Sequence, residues 1–188
     1  MRLFVALSLP DEIRDRLGAL EAPLPGARWV PPDNLHLTLR FIGEVDGGLA
    51  HDIDAALMGI DGRGFELRFA GLGHFGEGQK TRSLYAAVAP TEPLSRLQQK
   101  VEQALLRLGL PPEGRKFKPH VTLARFRSGG ASMPHLERFL VEHALFRAGP
   151  FQVVQFSLFQ SFLSGEGSIY REEAVYPLRP PQALAIGA

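Results

Sequence analysis

A four-residue pattern, His-apolar-Thr-Leu, occurs twice in this chain and constrains its fold more than any other feature. The first copy spans His36–Leu39 and the second spans His120–Leu123, 84 residues later. A Pro-Pro pair precedes each copy, and this pair, like Pro10 and Pro90, repeats with an offset of 80 residues. A short insertion before the second copy accounts for the difference. The sequence therefore predicts a duplicated fold with two similar lobes.

Apolar patterning predicts the order strand, helix, motif strand in both halves. The segments with this order are Arg2–Leu7, Pro10–Leu20 and His36–Phe41, then Leu84–Val88, Pro90–Leu108 and the strand that begins at His120. Further segments complete the halves: helices near Gly48–Met58 and Pro134–Ala144, strands near Phe65–Phe69, Phe151–Phe159 and Ile169–Tyr176, and glycine-rich loops at 71–76 and 128–130.

These elements predict an α+β fold in which residues 1–188 form a single bilobal domain. Each lobe is expected to be a β-α-β-α-β(β) unit with an antiparallel sheet, and the two sheets face each other across a central cleft with pseudo-two-fold symmetry. We expect the repeat halves to cover about residues 1–80 and 81–178. Residues 179–188 are expected to form a flexible tail.

Within each motif the histidine and the threonine lie two residues apart, so they share one face of a strand. We therefore expect His36 and Thr38 on one wall of the cleft, and His120 and Thr122 on the other. Two such imidazoles can flank the phosphorus of a phosphate ester, one removing a proton from water and the other protonating the leaving oxygen. The threonine hydroxyls can donate to the phosphate oxygens. The alternatives are an ordinary strand surface and a two-histidine metal site.

The position five residues after each histidine is Phe41 in the first copy and Arg125 in the second. Strict alternation places both side chains on the apolar face of the strand. Either a bulge or the end of the strand would instead turn them toward the cleft. In that case Arg125 can bind the phosphate and Phe41 can stack on a base.

Composition narrows the classes of function. The chain has no cysteine, which excludes thiol nucleophiles and Cys-based zinc sites, and no nucleotide-cofactor motif occurs, so we expect neither cofactor nor metal. With a net charge of +1, the chain has no large excess of positive charge with which to bind a nucleic-acid duplex. No segment has the length of a bilayer span, and no cleaved signal peptide is predicted. We expect a soluble, cytoplasmic and monomeric protein.

Residues Asn34–Gly43 and Lys118–Arg125 resemble the doubled motif of the two-histidine (2H) phosphoesterases. The closest resemblance is to the bacterial and archaeal RNA 2′,3′-cyclic phosphodiesterases, historically called 2′-5′ RNA ligases. It extends to Arg2–Leu7 and to the closing strands around Phe156–Leu158 and Tyr170, and so covers nearly the whole chain. The resemblance implies a bilobal fold and metal-independent opening of a terminal RNA 2′,3′-cyclic phosphate to a 2′-phosphate. It also implies weak 2′-5′ ligation in reverse.

The resemblance also implies a role for each site residue. The acid–base pair is His36 and His120, the phosphate ligands are Thr38, Thr122 and Arg125, and the base-stacking residue is Phe41. We expect His120 to activate water and His36 to protonate the 3′ oxygen, and the pseudo-symmetry leaves the reverse open. Arg40 departs from the small or apolar residue common in the family, and would add a cation near the cleft.

Three functions remain open for a site of this kind. The first is the phosphodiesterase acting on RNA ends, including tRNA fragments. The second keeps the chemistry but takes a small cyclic phosphate, such as a nucleoside 2′,3′-cyclic phosphate. The third is a module that binds RNA ends or nucleotides without catalysis, and the intact histidines and threonines of both copies weigh against it.

Overall fold

A computed structural model describes the chain over residues 1–127, 129–164 and 167–181. Its helices are α1 (Asp11–Gly18), α2 (Gly47–Met58), α3 (Glu92–Arg107) and α4 (Met133–Glu142). Its strands are β1 (Arg2–Ser8), β2 (Ala27–Trp29), β3 (His36–Glu44), β4 (Phe65–Phe75), β5 (Ser83–Val88), β6 (His120–Phe126), β7 (Arg147–Val153), β8 (Gln155–Ser164) and β9 (Gly167–Pro177). No helix among these residues is both long and apolar enough to cross a membrane.

Local sequence signals explain where the main helices begin. The Asp46 carboxylate accepts a hydrogen bond from the backbone N–H of Leu49 and caps α2. The Thr91 hydroxyl does the same for α3 by accepting from the N–H of Leu94. The buried face of α3 repeats at helical spacing, as its apolar pattern predicts, and α3 contacts β3 and α2.

The strands form two antiparallel sheets. The first sheet has the order β3-β1-β8-β9, and the second has the order β2-β6-β5-β4-β7. The first motif strand, β3, is an edge strand, whereas the second, β6, lies between β2 and β5. The two motif strands contact each other across the sheets. The predicted α+β class with two facing antiparallel sheets is confirmed.

The two sheets exchange strands between the sequence halves. Strand β4 belongs to the first half, residues 1–80, but pairs with β5 in the second sheet. Strands β8 and β9 belong to the second half, residues 81–178, but extend the first sheet beside β1. A lobe is therefore not one contiguous half of the chain. Apolar alternation predicts that a segment is a strand, but it does not identify the sheet that the strand joins.

Two predicted segments differ from the structure. The expected loop at 71–76 is mostly strand, because β4 continues to Phe75 through a bulge at Gly71 with φ +83°. Gly73 is needed there because a side chain would collide with the ring of Tyr85. The expected strand Phe151–Phe159 is divided between β7 and β8, which lie in different sheets.

Two expected irregular segments lie partly outside the described residues. Ser128 of the loop at 128–130 is outside them, and so are residues 182–188 of the expected tail. The first residue of that tail is held in place by its backbone. Arg179 forms an isolated β-bridge with Arg63, and its backbone hydrogen-bonds to Gly62 and Gly64.

Arg40 does not add a cation to the cleft. Its side chain is 8% exposed, and its Nε lies 2.5 Å from the Glu102 carboxylate of α3. A second carboxylate, that of Glu113, lies 3.6 Å away, and the guanidinium also donates to the carbonyls of Phe41 and Pro111. Arg40 thus fastens the first motif strand to α3 and to the loop that leads toward the second motif.

We expect Arg40→Met to lower the free energy of unfolding by about 3 kcal/mol, because the largely buried Glu102 carboxylate loses its cationic partner. Arg68→Met removes an exposed ion pair with Glu66 and is the matched control, with an expected loss below about 1 kcal/mol. Urea unfolding of both variants measures the difference. Equal losses would mean that the Arg40 pair contributes no more than a surface contact.

Candidate active site

A bulge in β3 turns Phe41 to the same face as the first histidine and threonine. Ala6 of β1 pairs with Thr38 and Val5 pairs with Arg40, so Leu39 between them is an extra residue without a partner. Leu39 and Arg40 are consequently both buried, and Phe41 is 57% exposed. The bulge that this placement of Phe41 requires is therefore present, and it adds an aromatic surface to the wall that carries His36.

The second motif has the same bulge at the equivalent residue. In β5, Tyr85 pairs with Thr122 and Leu84 pairs with Ala124, which leaves Leu123 as the extra residue. Leu123 and Ala124 are buried, and the following Arg125 is exposed. Because both copies have this bulge, the histidine, the threonine and the residue five positions after the histidine share one face of each motif strand.

The two walls lie close enough for their charges to act on each other. The pKa of His36 is lowered partly by the positive charge of Arg125 and by the ring of His120, both on the other wall. The charge of Arg125 also lowers the pKa of His120. Strands β3 and β6, which carry the two motifs, also contact each other, so the site residues of both motifs lie close together.

His36 is held in a largely buried, aromatic position. Burial lowers its pKa to about 4, although a hydrogen bond with the carbonyl of Asn34 at 2.7 Å acts in the opposite direction. The rings of Phe4 and Tyr170 lie 4.9 and 5.0 Å from the imidazole centroid. Because a carbonyl can only accept, Nδ1 carries the hydrogen, and Nε2 keeps a lone pair for chemistry in the neutral ring.

His120 is held in a similar way on the second wall. Its Nδ1 lies 2.6 Å from the carbonyl of Lys118, and the rings of Phe75 and Tyr85 lie 4.8 and 5.4 Å from its centroid. Burial is the main cause that lowers the pKa of His120, and the charges of Lys118 and Arg125 add to it. In both copies the residue two positions before the histidine supplies the carbonyl that orients the ring.

We expect stability to fall by about 2 to 3 kcal/mol between pH 7 and about pH 4.5 on account of His36. The unfolded ring takes up a proton near its ordinary pKa of 6.5, whereas the folded ring resists protonation until about pH 4. Acid in this window therefore favours the unfolded chain, and the effect is absent above pH 6.5. Urea unfolding at both pH values measures it.

His36→Gln is the variant that isolates this effect, and it should lose correspondingly less stability on acidification than the unaltered chain. His51→Gln, on the exposed face of α2, is the matched control and should behave as the unaltered chain does. An unchanged acid response in His36→Gln would contradict the lowered pKa.

The polar side chains that follow the two histidines are unengaged. Within the described part of the chain, the hydroxyls of Thr38 and Thr122 have no hydrogen-bond partner, and no carboxylate pairs with Arg125. Two hydroxyl donors and one guanidinium therefore remain available at the cleft, which suits the non-bridging oxygens of a phosphate. Nor do the described residues contain a group of three or more His, Asp or Glu side chains that could hold a metal.

Two positions at this site were not assigned from the motif itself. Asn34 supplies its carbonyl to His36, and its side chain donates to the carbonyl of Ser168 at 2.9 Å, which ties β9 to the first motif. Tyr170 of the same strand packs edge-on against His36. The spacing of Asn34 and Lys118, two residues before each histidine, is the sequence signal that identifies the orienting position.

A family model described as the 2′-5′ RNA ligase superfamily matches residues 9–165, most of the chain. The chain belongs to the 2′-5′ RNA ligase superfamily. The family resemblance predicted from the two motifs is thereby confirmed. The matched residues include both motif strands.

Several proteins are similar to this chain over nearly their full length. The RNA 2′,3′-cyclic phosphodiesterase of Aeropyrum pernix is 34% identical over 160 residues, which cover 85% of this chain and 89% of the relative. The protein of the same name from Archaeoglobus fulgidus is 31% identical over 179 residues, covering 94% and 99%. The crystal structure of E. coli LigT complexed with 3′-AMP has a TM-score of 0.74 and 26% identity, covering 94% of this chain and 97% of LigT.

Proposed function

We propose that this protein hydrolyses the terminal 2′,3′-cyclic phosphate of RNA to a 2′-phosphate, without a metal ion. The observation that carries the proposal is the pair of imidazoles on opposite walls, each with Nδ1 bound to a carbonyl and Nε2 available. The names of the superfamily members from A. pernix and A. fulgidus, and the complex of LigT with 3′-AMP, support a nucleotide phosphate as the substrate.

In the proposed reaction His120 accepts a proton from water while the water oxygen attacks phosphorus. The bond between phosphorus and the 3′ oxygen breaks, and His36 delivers a proton to that oxygen. The phosphate remains on the 2′ oxygen. Since the pKa of free His36 is about 4, this assignment requires the bound phosphate anion to raise it enough for protonation near neutrality.

The remaining groups position and stabilise the phosphate. Thr38 and Thr122 donate to the non-bridging oxygens, and Arg125 balances the negative charge that grows on them in the transition state. Phe41, at the exposed end of the first wall, stacks on the terminal base. A 5′-hydroxyl that replaces water as the nucleophile would give a 2′-5′ linkage, and we expect this ligation to be weak.

We further propose a monomeric, cytoplasmic enzyme, and light scattering of the purified chain tests whether it is monomeric.

The direct test is incubation of the purified protein with a short RNA that ends in a 2′,3′-cyclic phosphate, in the presence of EDTA. We expect a product with a 2′-phosphate, distinguished from the 3′-phosphate by its chromatographic retention. Binding without turnover would indicate the non-catalytic module instead. Turnover that EDTA abolishes would indicate a metal site.

A further inference from the structure

The two copies of the site differ in the residue that orients the histidine. Asn34 and Lys118 occupy equivalent positions and use their carbonyls in the same way. The side chain of Asn34 is already engaged, because its amide donates to the carbonyl of Ser168. Lys118 is exposed, and no carboxylate among the described residues pairs with it. Only the second wall therefore carries a free cation at this position.

The ammonium of Lys118 is fixed beside the cleft. It lies 5.3 Å from the ring centroid of Phe75 and 5.0 Å from that of Tyr85. The same two rings border His120, so the ammonium lies within about 10 Å of the imidazole. Contact with two aromatic faces holds the side chain in one place without using its three hydrogen-bond donors.

A cation in this place is suited to a second phosphate. The reacting phosphate already has the two threonines and Arg125, and Arg125 follows His120 in the chain whereas Lys118 precedes it. The ammonium of Lys118 lies over the rings of Phe75 and Tyr85, beside His120, and so supplies a positive charge in addition to that of Arg125. A nucleotide bound with its cyclic phosphate at the imidazoles has its 5′ phosphate one ribose away, within the reach of Lys118.

We propose that Lys118 binds the phosphodiester on the 5′ side of the terminal nucleotide, which makes an oligonucleotide a better substrate than a mononucleoside cyclic phosphate. This inference rests on the proposed function and specifies its substrate class. Lys118 acts as a specificity-determining residue, since the charge of the next phosphodiester is recognised only when the RNA extends beyond one nucleotide.

Three substrates and two variants test it. The substrates are a nucleoside 2′,3′-cyclic phosphate, a dinucleotide with the same cyclic end, and that dinucleotide with a neutral methylphosphonate in place of its phosphodiester. Lys118→Met keeps an apolar chain over Phe75 and Tyr85 but removes the charge. Lys116→Met removes an exposed charge two residues away and is the matched control.

We expect the unaltered chain and Lys116→Met to prefer the charged dinucleotide over the methylphosphonate by about five- to tenfold in kcat/KM. Lys118→Met should reduce this ratio to near one. A ratio that survives in Lys118→Met, or a uniform loss on all three substrates, would overturn the inference while the proposed function stands. No turnover of any substrate by the unaltered chain would overturn the proposed function, and the inference with it.

Discussion

His36→Ala and His120→Ala are each expected to lower kcat/KM for a cyclic-phosphate RNA by about a thousandfold or more. Each variant removes one of the two proton-transfer groups, and general acid or base catalysis contributes about 10² to 10⁴ in rate. The double variant should be little worse than either single one, because the two groups act on one transition state. Initial rates with a 5′-labelled RNA measure all three variants.

His51→Ala is the matched control for these variants, since His51 is exposed on α2 and lies outside the site. Circular dichroism establishes that the His36 and His120 variants are folded. Activity within about tenfold of the unaltered chain in either variant would contradict the paired mechanism.

A substrate with sulfur in place of the bridging 3′ oxygen identifies which histidine is the acid. A thiolate leaves readily without a proton, so loss of the acid then costs little rate. With His36 as the acid, this substrate should restore activity to His36→Ala and leave His120→Ala inactive. Restoration of His120→Ala instead would reverse the two roles.

Thr38→Val and Thr122→Val are each expected to lower kcat by about 100-fold, as loss of one donor to a developing oxyanion does. Valine has nearly the shape of threonine and suits a strand, so folding should be retained. The hydroxyls have no partner within the described residues, which leaves them free to donate to substrate. Single-turnover kinetics of both variants measures the effect.

Thr38→Ser and Thr122→Ser keep the hydroxyl and serve as the paired controls. We expect them to recover most of the rate that valine removes. Equal losses in the serine and valine variants would show that the methyl group, through packing, is what matters at these positions rather than the hydrogen bond.

The site was more predictable from the sequence than the topology was. Duplication of the motif, together with the two-residue spacing of histidine and threonine, predicted which side chains share a face, and the bulge needed for Phe41 and Arg125 lies where it was expected. These features are local, because a strand of a few residues determines them.

Features that depend on distant contacts were not predictable in the same way. The sheet that β4 or β8 joins depends on pairing with strands that are distant in the sequence. The apolar alternation within β4 and β8 does not indicate which sheet that is. Arg40 looked like a cation for the cleft because its partners, Glu102 and Glu113, lie more than 60 residues away in the sequence. Gly73 resembled a loop residue because the ring that requires it belongs to another strand.

Strand exchange has a consequence for how the enzyme can move. Along the described residues the chain passes between the two sheets four times, at β1–β2, β2–β3, β3–β4 and β7–β8. Two lobes joined at a single linker can open and close about it, but lobes joined by four crossings resist a hinge rotation. The four crossings therefore favour a separation of the two imidazoles that is set when the chain folds, before any substrate binds.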